Sequence, residues 1–492
     1  MTTAKATIHR LQTRVPGLDA VLGGGLPEFS FNLLAGSPGS GKTTLAHQIM
    51  FALATPERPA LYFTVLGEPP LKMLRYQQQF DFFDSEKVNH SVHFINLADA
   101  AASGDLSRVL ARIVAEVEAH GPGLVFVDSF RSVILAGRDE GGAFISLQQF
   151  VQQLGMLMTS WQATTFLLGE YFSESDPSPI FTVADGLIWL RQSAQGNSVV
   201  RKLEVMKMRG QPTQPGLHTF RISDAGIQVF SPPRVSAADD RKPPPAERVQ
   251  MGIAGLDEMM GGGLPRGYSL LVAGPSGSGK SIMAGAFLAE GARNGEVGVI
   301  AAFEQRPNRS RGPLMAKLIE SGRVGVIDTQ AAALSVDEIS TLLINEVQRL
   351  GATRVVVDSL SGFELALAPT FRDGFREALS RMVSALASIG VTVLMTSELE
   401  DRYDELRFSP YGTAFMTDAI IVQRYIEVDS RLQRMLAVVK VRASAHSNEL
   451  RLFHIDDGGI RIGRMLAGQE GLLSGRPRRS HAAGSVAGKD DD

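Results

Sequence analysis

The chain has 492 residues, of which 44% are hydrophobic and 21% are charged, and its formal net charge is −3. This composition predicts a globular protein of two or three domains, and it excludes a disordered chain and a general attraction to nucleic acid or acidic membranes. The absence of cysteine excludes disulfides, thiolate zinc sites and cysteine nucleophiles. No apolar run approaches the roughly 18 residues that span a bilayer, and the first residues do not resemble a signal peptide. We therefore expect a cytoplasmic protein without a membrane span.

The first half of the chain alternates apolar runs with helical patterns. FNLLAG (31–36) predicts a strand, and TTLAHQIMFALA (43–54) predicts a helix because an aliphatic residue recurs every four positions. GLVFVD (123–128) and TTFLLGE (164–170) are apolar runs that end in an acid, which is typical of parallel strands buried on both faces. The alternation predicts an α/β domain with a mostly parallel sheet flanked by helices.

The second half repeats the first. VPGLDAVLGGGLP at 15–27 returns as GIAGLDEMMGGGLP at 252–265, and the glycine-rich segment at 36–44 returns at 274–282. Repeats of this length are duplicated domains and not solenoid units. The stretch between them is rich in Pro, Ala and charge, which is typical of an extended linker. The predicted parts are a first domain (1–230), a linker (231–247), a second domain (248–466) and a tail (467–492) whose end we expect to be disordered.

Both glycine-rich segments match the P-loop pattern G-x-x-x-x-G-K-[ST] between a predicted strand and a predicted helix. Backbone N–H groups of such a loop and the positive end of the following helix bind phosphate. Lys42 and Lys280 would then reach the β- and γ-phosphates as catalytic cations. A chance glycine-rich turn is the alternative, which two copies in the same context disfavour. The predicted ATP-binding residues are Gly36, Ser37, Pro38, Gly39, Ser40, Gly41, Lys42, Thr43 and Thr44, and Gly274, Pro275, Ser276, Gly277, Ser278, Gly279, Lys280, Ser281 and Ile282.

Oxygen ligands for Mg²⁺ are predicted beside each P-loop. The hydroxyls of Thr43 and Ser281 follow the P-loop lysines, and Asp128 and Asp358 end buried strands. Ligands of parallel sheets bind beyond the carboxyl ends of the strands, so both acids should hold Mg²⁺, usually through water. The alternative is that each acid caps the next helix.

A further acid ends another apolar strand in each half. These acids are Glu170 in the first half and Glu398 in the second. They either sense the γ-phosphate or simply lie at the mouth of the strand, and the sequence leaves both readings open.

The candidate general bases differ between the halves. A base must lie within hydrogen-bond reach of the attacking water, and Glu304, after the strand that follows the second P-loop helix, meets this need. Its alternative is a surface acid paired with nearby arginines. The first half has Leu66 and Gly67 at this step, and neither accepts a proton. Glu68 comes later, and because side chains alternate along a strand, it would act as the base only if the backbone bends at Gly67.

Two Lys-x-Arg segments lie near the ends of the halves. They contain Lys207 and Arg209 in EVMKMRG, and Lys440 and Arg442 in AVVKVRA. Residues two apart share one face of a strand, so each pair could be offered to the γ-phosphate of a neighbouring subunit. A solvated edge strand guarded by charge is the equal alternative.

Taken together, these motifs resemble the KaiC family of RecA-superfamily ATPases. The resemblance is carried by the P-loops, the GLD…GGGLP segments, the Asp-Ser steps at 128–129 and 358–359, the Lys-x-Arg strands and TDAIIVQRYIE at 417–427, and it extends from about residue 8 to about 475. It implies two tandem RecA-like P-loop domains in a double-ring hexamer, with ATP held between subunits and the Lys-x-Arg pairs acting in trans. In the family, the first domain assembles the ring and hydrolyses ATP slowly, whereas the second also phosphorylates itself on a Ser-Thr pair.

The chain departs from this family at two places. Of the family's paired glutamates, Glu304-Gln305 keeps the first in the second domain, and Leu66-Gly67 replaces both in the first. The phospho-acceptor pair falls on Ala414-Phe415, and neither residue has a hydroxyl. Serine/threonine autokinase activity on a shifted site stays open, but a two-site phosphorylation cycle is not supported. The nearby hydroxyl residues are Ser409, Thr413 and Thr417.

The sequence therefore predicts a KaiC-like ATPase that uses ATP and Mg²⁺ and works as a hexameric, nucleotide-driven switch. Its regulatory protein partner is not identified by the sequence, and nucleic acid is not expected to bind. One alternative is a RecA/RadA-like DNA-handling ATPase, which would need a basic path for DNA that the net charge does not suggest. The other is a non-catalytic scaffold that ATP merely stabilises.

Overall fold

The chain divides into two compact units, residues 1–231 and 232–492, and each has its own sheet and its own core. The computed structural model describes residues 8–65, 70–102, 104–130, 147–172, 178–195, 198–232, 247–303, 313–327, 329, 334–367, 372, 374–399, 416–428, 430–465, 469–470 and 478–479.

The first unit is built on a mixed sheet that has nine strands among the described residues. These strands are β3 (Phe31–Gly36), β4 (Ala60–Thr64), β5 (Val92–Asn96), β6 (Leu124–Asp128), β7 (Thr164–Glu170), β8 (Gly186–Gln195), β9 (Ser198–Met208), β10 (Leu217–Ser223) and β11 (Gly226–Phe230). Their order is β11-β10-β9-β8-β3-β7-β6-β4-β5. The strands from β8 to β5 in this order run parallel, and β9, β10 and β11 extend the sheet antiparallel. A separate small sheet pairs β1 (Arg10–Leu11) with β2 (Leu26–Pro27).

Helices cover both faces of the first sheet. The helix Lys42–Leu53 packs with Leu34, Tyr62 and Phe126 in one apolar cluster, whereas Leu106–His120 lies in the cluster on the opposite face. Side chains of a strand alternate between faces, so one strand feeds both cores. The described helices of this unit are Leu18–Val21, Lys42–Leu53, Pro70–Gln77, Ala98–Ala101, Leu106–His120, Leu147–Ser160 and Ile180–Val183, with a 3₁₀ turn at Ser85–Lys87.

The second unit repeats this architecture. Its described strands are β14 (Ser269–Gly274), β15 (Gly298–Ala302), β16 (Val324–Ile327), β17 (Arg354–Asp358), β18 (Thr392–Glu398), β19 (Ala419–Val428), β20 (Arg431–Val441), β21 (Arg451–Asp456) and β22 (Gly459–Met465), in the order β16-β15-β17-β18-β14-β19-β20-β21-β22. The small sheet pairs β12 (Arg248–Val249) with β13 (Leu264–Pro265). The described helices are Ala254–Met259, Lys280–Arg293, Pro313–Glu320, Val336–Leu350, Leu360–Ala366 and Phe375–Ser388. Two tandem α/β domains with mostly parallel sheets are thereby confirmed.

A buried arginine, Arg354, connects separate segments of the second unit by hydrogen bonds. Arg354 is 2% exposed, and its guanidinium donates to the backbone carbonyls of Gln250 and Phe287, each at 2.8 Å. It also donates to the carboxylate of Glu296, which in turn accepts a hydrogen bond from Arg266 at 2.7 Å. A buried charge is tolerated only when it is paired and hydrogen-bonded, and here the three partners of Arg354 come from three separate segments.

The tail contains a short structured pair. Strands β23 (Gln469–Glu470) and β24 (Arg478–Arg479) run antiparallel, so backbone hydrogen bonds order part of a segment with little apolar sequence. Most of the predicted linker, residues 233–246, and the last residues of the tail, 480–492, lie outside the described residues. None of the helices among the described residues is long and apolar enough to cross a membrane.

Candidate nucleotide sites

The first P-loop wraps around its own lysine. Nζ of Lys42 donates to the carbonyl oxygens of Gly36 and Ser37, each at 2.9 Å. Gly41 precedes the helix with a φ of 105°, and a Cβ there would lie 3.0 Å from Cδ1 of Ile222. Glycine is needed at this step because a side chain would be both strained and crowded. The loop therefore curls tightly over the start of the helix, as phosphate binding by backbone N–H groups requires.

Two carboxylates, those of Glu170 and Asp128, act electrostatically on the ammonium of Lys42. Burial lowers the pKa of the Lys42 ammonium, and the negative charges of Glu170 and Asp128 oppose that shift. Both acids stand at the carboxyl ends of neighbouring strands, β7 and β6. An anionic phosphate could replace the loop carbonyls as the hydrogen-bond acceptor of the Lys42 ammonium, because hydrogen bonds between two charged groups are stronger than those to a neutral carbonyl.

The second P-loop has the same arrangement. Nζ of Lys280 donates to the carbonyl oxygens of Gly274 at 2.9 Å and Pro275 at 2.8 Å. Burial lowers the pKa of this lysine as well, and Glu398 and Asp358 oppose that shift. The two P-loop lysines, which are 8% exposed in each domain, are therefore equivalent in their hydrogen bonds and in the signs of the charges around them.

In the first domain, the strand-end acid is bound from two sides. Oδ2 of Asp128 accepts a hydrogen bond from the hydroxyl of Thr43 at 3.0 Å and another from the hydroxyl of Tyr62 at 2.7 Å. Burial raises the pKa of the Asp128 carboxyl, and both hydrogen bonds oppose that rise. Hydroxyl and carboxylate oxygens are ligands that suit Mg²⁺, which is commonly held by one or two protein groups together with substrate phosphates. The residues present thus fit this ion.

In the second domain, the acid is bound from another strand. The carboxylate of Asp358, itself 8% exposed, accepts a hydrogen bond from the hydroxyl of Thr396 in β18. Ser281, the predicted hydroxyl ligand, is exposed at the start of its helix. The hydroxyl of Ser278 in this P-loop donates to Oε1 of Gln423 at 2.9 Å. Carboxylate and hydroxyl oxygens are again available for Mg²⁺.

The Lys-x-Arg pairs lie at matching places in the two sheets. Nζ of Lys207 donates to the carbonyl oxygen of Thr182 at 3.0 Å, and Nη1 of Arg209 lies 3.1 Å from Oδ1 of Asp185. A β-bulge shifts the register of β9 against β8 immediately before Lys207. Both cations are therefore held beside the turn that leads into β8, and their action on a neighbouring subunit stays a prediction.

The second domain places its Lys-x-Arg pair in the same way. Nζ of Lys440 donates to the carbonyl oxygen of Thr417 at 2.6 Å, and Nη1 of Arg442 lies 3.3 Å from Oδ1 of Asp418. The same bulge recurs between β19 and β20. Thr417 is fully buried, so its hydroxyl is a poor candidate phospho-acceptor.

Several predicted functional residues lie outside the described residues. The missing candidates are the general bases and the segment around the phospho-acceptor pair, so their predicted roles stay predictions. These residues are Glu68 with Leu66 and Gly67, Glu304 with Gln305, and Ser409, Thr413, Ala414 and Phe415.

Sequence reasoning missed the side chains that hold the strand-end acids. Tyr62 and Thr396 both lie inside strands whose amino-acid sequences indicate a buried apolar core. The available signal was the comparison of the repeats, because Tyr62 aligns with Ile300 and Thr396 aligns with Leu168. A hydroxyl that replaces an apolar residue in a buried strand needs a partner, and here that partner is the acid.

Comparisons with known proteins agree with this geometry. The family model described as "ATPase: KaiC" matches residues 11–234 and again 249–466. The circadian clock oscillator protein KaiC of Picosynechococcus sp. is 25% identical over 486 residues, which cover 96% of this chain and 93% of the relative. The circadian clock protein KaiC3 of Synechocystis sp. is 27% identical over 485 residues, with 96% and 95% covered. With two P-loop domains that both match the family model, the chain belongs to the KaiC family of ATPases.

Proposed function

We propose that this protein binds ATP with Mg²⁺ at both P-loops, hydrolyses ATP, and works in the cytoplasm as a homo-hexameric, nucleotide-driven switch. The observation that carries the proposal is the repeated P-loop arrangement, in which Lys42 and Lys280 are each held by carbonyls of their own loop. Asp128 and Asp358 stand beside them at the strand ends. Each domain thus has a cation for phosphate and a carboxylate for the metal.

The residues of each site have distinct tasks in this mechanism. The P-loop backbone and its lysine bind and orient the phosphates, while Thr43 with Asp128, and Ser281 with Asp358, hold Mg²⁺. When bound, the ion neutralises negative charge that develops on the phosphate oxygens. Preorganised positive groups lower the barrier because they need no rearrangement during the reaction.

The two domains divide the work. In the second domain, Glu304 orients or deprotonates the attacking water, and Lys440 and Arg442 of a neighbouring subunit complete the charge around the γ-phosphate. The first domain has no acid at positions 66 and 67, so it binds ATP mainly to hold the ring together, with Lys207 and Arg209 acting across the subunit interface. If the backbone bends at Gly67, Glu68 comes into reach of the water and supplies the base of the first domain.

Autophosphorylation is a secondary proposal for the second domain. The positions of the family's acceptor pair are Ala414 and Phe415, which have no hydroxyl. Thr417 is fully buried. Ser409 or Thr413 would then be the acceptor on a shifted site, and the two-site cycle of the family would be absent. Replacing both with alanine should remove any stable ³²P label that the wild type acquires from γ-labelled ATP.

The relatives support a regulatory role. Those named above are circadian clock proteins, and we propose that this chain serves a signalling process through a protein partner that reads the nucleotide state of the ring. A DNA-handling ATPase is disfavoured by the net charge of −3, and DNA-stimulated turnover would revive it. A ring that assembles with ATP but never releases phosphate would favour the non-catalytic scaffold.

The decisive experiment compares ATP turnover and ring assembly in the wild type, Lys42→Ala and Lys280→Ala, by phosphate release and light scattering on the same samples. We expect Lys280→Ala to stop turnover and Lys42→Ala mainly to lose the ring. Glu304→Gln should abolish most turnover while nucleotide still binds. If Lys42→Ala stops turnover within an intact ring, the proposed division between the domains is wrong.

A further inference from the structure

In the first domain, the hydroxyl of the core residue Tyr62 contacts Asp128, the acid proposed to hold the metal. Tyr62 in β4 is fully buried, and its hydroxyl donates to Oδ2 of Asp128 at 2.7 Å. Thr43 donates to the same oxygen at 3.0 Å. Two donors that converge on one oxygen from different elements fix both the position and the plane of the carboxylate.

The ring of Tyr62 is itself held in place. Its centroid lies 4.6 Å from that of His47, 5.5 Å from that of Phe94 and 5.9 Å from that of Phe126. These rings come from the P-loop helix and from the strands β5 and β6. Because Tyr62 pairs with Phe126 in the register of the sheet, two residues before Asp128, its ring and the acid share a face.

In the second domain, the hydroxyl that donates to the strand-end acid comes from a different strand. Ile300 pairs with Val356, two residues before Asp358, and therefore occupies the place of Tyr62 without a hydroxyl. There the carboxylate of Asp358 receives its hydrogen bond from Thr396 in β18, on the other side. The first domain has Leu168 at the place of Thr396, in register with Asp128. Among the described residues, each domain thus supplies a core hydroxyl to its acid, and the two hydroxyls come from opposite neighbouring strands.

We propose that Tyr62 is a positioning residue for the metal site of the first domain, holding Asp128 so that the acid meets the hydroxyl of Thr43 in the geometry that Mg²⁺-nucleotide requires. This inference rests on the proposed function. Side chains that orient a metal ligand typically change metal affinity by about 10-fold or more when they are removed. Tyr62 should therefore affect the metal-dependent part of nucleotide binding and leave the metal-free part unchanged.

The test measures the affinity of the full-length chain for a non-hydrolysable ATP analogue, once with MgCl₂ and once with EDTA, by calorimetry. All variants carry Lys280→Ala, so that binding to the first domain dominates. The quantity of interest is the ratio of the two affinities. We expect Tyr62→Phe to reduce this ratio by about 10-fold, while the affinity in EDTA stays the same.

Two further variants separate positioning from packing. Phe94→Leu disturbs the ring cluster but keeps the hydroxyl of Tyr62, and it should leave the ratio unchanged. Tyr62→Phe with Leu168→Thr supplies a hydroxyl from the opposite strand, as Thr396 does in the second domain, and it should restore most of the ratio. Because the ratio compares two conditions for one folded variant, a loss of stability alone does not change it.

The outcomes also separate this inference from the proposed function. An unchanged or increased ratio in Tyr62→Phe overturns the positioning role, and so does an equal loss in Phe94→Leu. If the parent protein binds no nucleotide in either condition, it is the proposed function of the first domain that fails. If Tyr62→Phe does not fold, Leu168→Thr alone replaces it, and a second donor to Asp128 should then leave the ratio at or above that of the parent protein; a reduced ratio would count against the role.

Discussion

Arg58 and Glu296 occupy the same position in the two domains, two residues before β4 and β15, and they carry opposite charges. Each forms an ion pair with the residue that follows a short strand of the small sheet. Nη1 of Arg58 lies 3.1 Å from Oε1 of Glu28, and Nη2 of Arg266 lies 2.7 Å from Oε1 of Glu296. The ion pair is common to both domains, but its polarity is reversed.

In the first domain, exchanging the two charges should be tolerated. Glu28→Arg and Arg58→Glu each place like charges together, so each should lower the free energy of unfolding by about 1 kcal/mol, the scale of a partly exposed ion pair. The double variant restores an attraction and should regain most of this loss. Urea denaturation of all four proteins gives the coupling energy, and a coupling energy of zero would show that the pair does not interact.

In the second domain, the same exchange should fail. Arg354 is buried and donates to Glu296. Exchanging Arg266 with Glu296 would therefore place the guanidinium of a new arginine at position 296 beside the buried guanidinium of Arg354. Removing the partner of a buried charge costs about 3 kcal/mol or more. Urea denaturation should therefore show a double variant that is no more stable than its single variants. Equal tolerance in both domains would contradict this account of Arg354.

His47 should make the first domain sensitive to acid. Burial lowers the pKa of His47 in the folded domain to about 4, whereas its usual pKa, which applies to the unfolded chain, is about 6.5. When the pH falls below about 6.5, the unfolded chain therefore takes up a proton at His47 that the folded domain does not. The stability that His47 contributes is complete above pH 7 and is lost as pH falls towards 4. At pH 5 the loss should be about 2 kcal/mol.

The measurement for His47 is the urea midpoint of the first domain between pH 7.5 and 5. His47→Leu should flatten this dependence relative to the wild type, because the side chain can no longer bind a proton. His90→Leu, which alters an exposed histidine, is the matched control and should follow the wild type. Parallel curves for the wild type and His47→Leu would mean that another group causes the acid sensitivity.

The Lys-x-Arg pairs predict complementation between subunits. If Arg442 acts on the site of a neighbour, then Lys280→Ala and Arg442→Ala proteins should each lack turnover, whereas a mixture allowed to exchange subunits should regain it. With random pairing, about a quarter of the interfaces combine both intact residues, so turnover should approach about a quarter of the wild-type rate. A mixture that stays as inactive as its parts would show that Arg442 acts within its own subunit.

The fold was predictable because its determinants are local in sequence. The P-loop pattern, the apolar strand and the helix that follows lie within about twenty residues in each half, and the acids Asp128 and Asp358 end recognisable buried strands. The spacing of apolar residues therefore sufficed for a parallel α/β sheet. The expectation that the acids lie near the P-loop lysines follows from strand direction alone, and burial and charge at Lys42 and Lys280 agree with it.

The supports of the acids were not predictable in this way. Whether Tyr62 or Leu168 lies beside Asp128 depends on the order of β4, β6 and β7 in the sheet, which spacing along the chain does not specify. In a buried strand, a tyrosine can simply pack as an apolar residue, or it can also donate a hydrogen bond from its hydroxyl. Only the position of the hydroxyl in the folded structure distinguishes these two roles. The contacts of Tyr62 therefore required the three-dimensional arrangement.

The reversed polarity of the paired charges also bears on how the gene can change. The two halves share their motifs in the same order, and similar segments within one gene can recombine with each other. A crossover between the codons for residues 28 and 58 and their counterparts would join Glu28 with Glu296, or Arg266 with Arg58, and would place like charges at the base of a domain. A hybrid domain of this kind would lose the attraction between the two residues, so exchange of this segment between the halves should lower the stability of the domain that receives it.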